Sequence, residues 1–264
     1  MKAPILENKK PTDETVFDPK ALLREARRQK GLEHVSVPKL CVLDPDGDIA
    51  NRLRITGKSR PFKAWPCYHT DLDVFTLDNR EVGIIGRVVG ASFAVLVAEE
   101  LFASGCELLI SITSAGQVNS AGDLPYFVMI DRALRDEGTS YHYAEPSQFA
   151  DADSAMIKLG RNAIVAAGFP LVVGASWTTD APFRETAAAL ESARSLEILT
   201  VEMEAAALYS FASARGAKVL CYAHVTNTMG QTDIDFEKGE GDGTTASLAL
   251  LESVARIAGN RESD

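Results

Sequence analysis

The chain has 264 residues, 46% of them hydrophobic, and a formal net charge of −10. Such a length allows one large domain or two small ones around a sizeable core. The acidic balance argues against nucleic acid as the main partner, because phosphate backbones are held by basic surfaces. A small anion held in a local site is still compatible with it.

The cysteines, Cys41, Cys67, Cys106 and Cys221, include no CxxC pair, and no histidine stands close enough in sequence to complete a metal-ligand set. No metal or organic cofactor is expected, and a reduced, cytoplasmic protein is the simplest setting. The amino-terminal stretch "MKAPILENKKPTDETVFDPK" has no apolar core of a signal peptide, and no later run has the length of a membrane helix. No membrane partner is expected.

Residues 1–37 read as a polar arm and a basic helix, "PKALLREARRQKG". From residue 38 to 264 strands and helices alternate as one domain. "VGIIGRVVG" (82–90) is a short β-branched run broken by glycines. "SFAVLVAEELFASG" (92–105) has helical spacing and stops at a glycine. "CELLISITSAGQV" (106–118) is a buried strand running into small residues, and "YFVMIDRAL" (126–134) is another strand. "SAMIKLGRNAIVAAG" (154–168) is a helix, followed by the strand "PLVVGASWT". "LEILTVEM" leads into the helical "EAAALYSFASARG", "AKVLCYAHVTN" is a further strand, and "TTASLALLESVARIAG" (244–259) is an amphipathic helix. Strand, helix, glycine, strand is the pattern of an α/β domain with a mainly parallel sheet. Ligands of such folds bind beyond the carboxyl ends of strands. The residues that matter most are then 44–48, 111–117, 177–184, 202–204 and 226–229.

"VEME" puts Glu202 and Glu204 before an apolar helix. Two positions apart on a helix, they face different sides, so one of them can serve a given pocket. A glutamate at a helix start is also simple charge placement against the dipole. Against the small, apolar helix that follows, a carboxylate needs a polar partner, and a sugar diol can donate two parallel hydrogen bonds to it. In "LISITSAGQV" the small residues from Thr113 to Gly116 let a ligand approach the backbone, or form an ordinary tight turn. In "WTTDAPFRET", Asp180 reads as an N-cap and Pro182 as a first-turn residue. Trp177 and Phe183 can stack on a heterocycle or belong to the core. "DPDGD" lacks the later Glu of a calcium loop, and "GIIGRVVG" lacks GxGxxG spacing. His142 reads as a hydrogen-bonded or core histidine before it reads as a base.

Together these stretches resemble the nucleoside phosphorylase superfamily, which includes purine nucleoside and uridine phosphorylases and the related nucleosidases. "TVEMEAAALYSFASARGAKVLC" resembles its signature helix, and "AVLVAEELFASGCELLISITSAGQV" its central helix, strand and small-residue loop. "DRALRDEGTSYHYAEPS" and "WTTDAPFRET" look most like the uridine phosphorylase branch. The resemblance covers residues 38–258. It implies a single-domain, three-layer α/β fold with a mixed, barrel-like twisted sheet flanked by helices. The implied reaction breaks the N-glycosidic bond of a nucleoside.

By the same resemblance Met203 is the floor under the ribose and Glu204 accepts its hydroxyls, with Glu202 and His69 nearby. Gly47, Arg52, Ser111 and Ser114 fall on the phosphate-or-water site, and Ala115, Gly116, Phe183 and Arg184 on the base. Asn227 stands where purine-cleaving relatives carry an aspartate that protonates the base. An amide donates a hydrogen bond but supplies no proton. Ser111 stands where phosphorylases have an arginine, His69 where a neighbouring subunit supplies another, and Asn51 where a third follows Gly47. Arginine suits that role because its fork binds phosphate bidentately. The leading expectation is phosphorolysis of a uridine-like nucleoside with phosphate as co-substrate. The alternatives are hydrolysis by a nucleosidase, and a nucleoside-binding protein impaired in catalysis. A homo-oligomer, a dimer or a trimer of dimers, is implied by the resemblance alone.

Overall fold

The computed structural model describes residues 3–167, 172–229 and 238–260. The basic helix forms as expected: Asp18 accepts from the Lys20 N–H (3.1 Å), Pro19 opens α1 (Pro19–Lys30), and Gly31 closes it in the left-handed region. Its apolar residues Leu23 and Ala26 are buried, and the helix packs against α3 (Ala91–Ala103).

The strands are β1 (Leu40–Asp44), β2 (Ser59–Pro61), β3 (Asp73–Leu77), β4 (Arg80–Gly86), β5 (Leu108–Gln117), β6 (Tyr126–Asp136), β7 (Phe149–Asp151), β8 (Val172–Thr179), β9 (Thr200–Glu202) and β10 (Val219–Asn227). The remaining helices are α2 (Asp48–Ile55), α4 (Ser154–Ala167), α5 (Ala187–Ser195), α6 (Ala205–Arg215) and α7 (Thr244–Asn260). Each element expected from hydrophobic pattern is present; the first residues of "PLVVGASWT" lie outside the described residues.

The sheet is mixed, where the alternation alone suggested a mainly parallel one. β1 lies parallel between β4 and β5, and β8 parallel between β6 and β9. The pairs β2–β3, β3–β4, β5–β9, β6–β7 and β6–β10 are antiparallel. One cause is local. Asp78 and Asn79 both take positive φ (46° and 59°), which makes a two-residue hairpin of β3 and β4. The order β10-β6-β8-β9-β5 closes on itself because β10 also pairs with β5, in parallel. A five-stranded barrel results, and β1-β4-β3-β2 extends from β5 as a wing.

Alternation along the strands feeds two apolar layers. Cys41, Leu43 and Leu109 face the layer of α3 and α6, whose Ala205–Ala212 are all buried. Val42, Ile110 and Ile112 face the layer of α2, α4 and α7. Tyr209 ties the first layer to the barrel. Its hydroxyl donates to the Ile130 carbonyl of β6 (2.6 Å) and accepts from the Cys221 N–H of β10 (3.1 Å). Among the described residues no helix is long and apolar enough to cross a membrane.

Tyr209→Phe keeps the ring but leaves a buried carbonyl and N–H without their partner. Loss of about 1–3 kcal/mol of stability is expected, read as a lower urea midpoint at unchanged slope.

Candidate active site

β5 changes neighbours along one edge. β1 leaves it at Ser111, opposite Leu43, and β9 joins it at Gly116, opposite Val201. β10 keeps the other edge up to Gly116. Among the described residues, Ile112–Ala115 therefore show one edge to which no strand is paired, and the candidate site lies around this gap.

The turn after β1 reaches into the gap. The Ser114 N–H donates to Asp46 Oδ2 (2.7 Å) and the Ser114 hydroxyl to Asp46 Oδ1 (2.8 Å). Asp44 is buried beneath and accepts from the Gly47 N–H (3.1 Å) and the Ala50 N–H (2.8 Å) at the start of α2. Burial pushes Asp44 up to about 7, opposed by those donors. Asp48 pairs with Lys238 (2.6 Å). Thr113 and His224 line the same hollow. His224 stacks on Phe127 with centroids 4.6 Å apart, and burial lowers it to about 4, so it is neutral at pH 7.

Gly47 sits at φ 83°, and a Cβ there would lie 2.6 Å from Arg87 Cγ. Arg87 thus lies across the turn. Beside it opens a cleft of about 200 Å³ whose lining includes Gly47, Asn51, Arg54, His69, Arg87 and Phe93. Arg54 is paired with Asp73. Arg52 is exposed on α2 and does not line this cleft, whereas Arg54 and Arg87 do.

The two glutamates do not share a helix. Glu202 ends β9, and Glu204 is the N-cap residue of α6. Glu202 is buried and fully engaged: Ser176 (3.1 Å) and Thr178 donate to Oε1, and the N–H groups of Glu204 and Ala205 (2.7 Å each) donate to Oε2. It anchors the start of α6 and has no oxygen left over for a ribose. Glu204 is 1% exposed. Its Oε1 accepts from the Gly90 N–H (2.7 Å), while Oε2 has no partner among the described residues. Burial raises both carboxyls, and the Glu202 charge raises Glu204 further. Four donors meet Glu202, whereas Glu204 has the Gly90 N–H and the Thr113 hydroxyl close by, so Glu204 is the member that holds the proton.

Met203 is half-buried between them. Ala115 is buried in β5, and Gly116 lies opposite Asn227 of β10. Met229 packs onto Gly116, where a Cβ would stand 1.9 Å from its Sδ. Ser111 is buried, and its hydroxyl has no partner among the described residues. His69 is exposed at the rim of the cleft. Phe183 is 99% exposed and Arg184 is exposed, both on the turn Pro182–Arg184, so the structure does not gather them with the cluster. Trp177 is core, its indole N–H donating to Asp136 (2.9 Å). Asp180 accepts from the Gly138 N–H (2.8 Å), and Thr186 caps α5 instead. His142 lines a separate cleft under the amino-terminal arm. Asp233 and Asp235 lie outside the described residues.

Pattern reading placed Asp46, Thr113 and Met229 within its strand-end stretches without giving them individual roles, and it passed over Gly90 and His224. For Asp46 a signal existed, a third carboxylate in "DPDGD" just after a strand. Among the described residues no group of three or more His, Cys, Asp or Glu side chains is arranged to hold a metal ion.

A family model described as Phosphorylase superfamily matches residues 39–256. The chain belongs to the phosphorylase superfamily. A purine nucleoside phosphorylase DeoD-type 1 of Vibrio cholerae is 27% identical over 154 residues, 58% of this chain and 64% of that protein. The match thus spans a little under two thirds of that relative's length. Among solved structures, a uridine phosphorylase from Vibrio fischeri superposes with TM-score 0.72 at 18% identity, covering 86% of this chain and 95% of that one. A purine nucleoside phosphorylase from Toxoplasma gondii, in complex with immucillin-H, gives TM-score 0.74 at 16% identity, covering 88% and 95%. At these identities the structures establish the phosphorylase fold, including the barrel-like sheet flanked by helices.

The raised carboxyls set a direction for stability. Asp44 and Glu185, both near 7 in the fold and near 4 in the unfolded chain, hold protons that the unfolded chain releases. Glu202 and Glu204 are raised as well. Their contribution is fully present below about pH 4 and is lost as pH rises through about 7. Glu204→Gln removes one such group. The melting temperature of wild type should therefore fall more steeply between pH 5 and pH 8 than that of Glu204→Gln, by differential scanning fluorimetry.

Proposed function

We propose that the chain cleaves the N-glycosidic bond of a nucleoside, moving the pentosyl group from the base to an oxygen nucleophile. The observation that carries this is Glu204, a buried carboxyl with Oε2 unpartnered beside the open edge of β5. Two sugar hydroxyls would donate to it, favouring its ionised form, with its proton released to solvent. The carboxylate then fixes the ring and favours the positive charge that develops on it as the C–N bond opens. Met203 would lie under the sugar, with Ala115, Gly116 and Met229 beside the base. Glu202 acts through Glu204, as a positioning residue.

Asn227 can donate to a base leaving as an anion but cannot protonate it. That suits a base that is a good leaving group, and supports a uridine-like substrate over a purine needing an acid. The names of the relatives support phosphate as the acceptor. Water is the other acceptor the site allows. We read the protein as a cytoplasmic homo-oligomer, a dimer or a trimer of dimers, on the resemblance.

The test is a panel of pyrimidine and purine nucleosides, scored for released base. Turnover of at least one is expected, with pyrimidine nucleosides preferred. Glu204→Ala should lower kcat/KM by about 100-fold or more, the scale of a lost transition-state contact. Binding of nucleosides without turnover would point to a protein impaired in catalysis. Unchanged turnover in Glu204→Ala would remove the central residue of the reading.

A further inference from the structure

The acceptor side of the site carries an unexpected charge. An oxyanion acceptor would need donors at the open edge of β5 and at the start of α2. At both places carboxylates of the chain already hold donors. Asp46 holds the N–H and hydroxyl of Ser114. Asp44 holds the N–H groups of Gly47 and Ala50. Lys238, the cation of this hollow, is paired with Asp48. His224, which lines it, is neutral at pH 7. Ser111 offers a buried, unpartnered hydroxyl at the point where β1 leaves β5. Asp46 is exposed, so water reaches its oxygens, and it is near enough to Glu204 for its charge to raise that carboxyl.

We propose that Asp46 makes this an acceptor site for water. Its carboxylate occupies the donors that phosphate would need and takes the proton of an attacking water, so the pentosyl group passes to water and free pentose is released. This rests on the glycosidic reading above and names its second substrate. In the step, the C–N bond breaks and its electron pair leaves with the base. A C–O bond forms from the water oxygen, one water proton passes to Asp46, and the base takes a proton from solvent. Ser114 positions Asp46, holding one oxygen by its N–H and the other by its hydroxyl. The role differs from that of Glu204, which touches the sugar and not the nucleophile.

The experiment uses the full chain as wild type, Asp46→Asn and Ser114→Ala, with a nucleoside that the panel shows to be turned over. Free pentose and pentose 1-phosphate are quantified with and without inorganic phosphate. Wild type should give free pentose at a rate that phosphate does not change, and ¹⁸O from labelled water should appear in the sugar. Asp46→Asn, close in shape and exposed, should lose about 100-fold or more of kcat, the scale of a lost general base, with KM within a few-fold. Ser114→Ala should lose less, and its melting temperature should stay near that of wild type. Inorganic phosphate should raise the melting temperature of Asp46→Asn and not that of wild type. Phosphate-dependent formation of pentose 1-phosphate by wild type would overturn the proposal while leaving the glycosidic reading standing. So would full hydrolysis by Asp46→Asn. Absence of turnover with every nucleoside would overturn both.

Discussion

Glu202 stays buried at the corner between β9 and α6 because four donors meet it there. Two are hydroxyls of β8, Ser176 and Thr178, and two are the first N–H groups of the helix. A buried carboxylate left unmatched costs several kcal/mol. Here hydrogen bonds and the positive end of α6 offset that cost. Thr178 extends the link by also accepting from the Ala206 N–H. The corner is thereby fixed to β8, and Glu204, two residues on, has one direction in which to point. One glutamate is spent on geometry so that the other can keep an oxygen unpartnered.

That direction matters because of how the barrel closes. β10 pairs with both β5 and β6, and β9 reaches β5 only at Gly116, after β1 has left it at Ser111. The unpaired stretch between them is a consequence of joining a closed barrel to an open wing along one strand. Small residues are required there for a stated reason: Met229 packs where a Gly116 side chain would stand. Gly47 meets the same constraint on the other wall, under Arg87. The opening is therefore a place where the ladder stops, and the Ser114 N–H at that edge is met by Asp46.

Much of the fold was legible in sequence because hydrophobic period and glycine stops survive folding. Parallel or antiparallel pairing was not, since it depends on partners far along the chain. The hairpin at Asp78–Asn79 is an exception whose signal was present and local. In the site, Glu204 was legible because a carboxylate before an apolar helix demands a partner. Its difference from Glu202 was not, because two residues apart means opposite sides only if both lie on one helix, and here a strand ends between them. Phe183 looked like a stacking ring by composition, yet an aromatic beside Pro182 can equally be carried outward by a short turn, and here it is. Asp46 lay in a stretch the sequence singled out, but its role was not legible because its partner, Ser114, lies 68 residues away.

The acidic turn shows how one short segment holds three like charges. Asp44 is buried and raised towards neutrality, Asp48 is matched by Lys238, and Asp46 is held outward on Ser114. Each carboxylate uses a different means, so none needs an added cation. Two like unit charges about 4 Å apart repel by about 4 kcal/mol at an effective dielectric near 20. A charge-assisted hydrogen bond returns about 1.5–3 kcal/mol. Even with the repulsion halved for the exposure of Asp46, an anion sharing Ser114 with it would gain little, and a doubly charged one would lose. At Ser114, phosphate would have to displace Asp46 from two good donors, and no arginine stands at position 111 to compensate. A neutral acceptor meets no such opposition, and the same carboxylate that repels the anion is the group able to accept a proton from water.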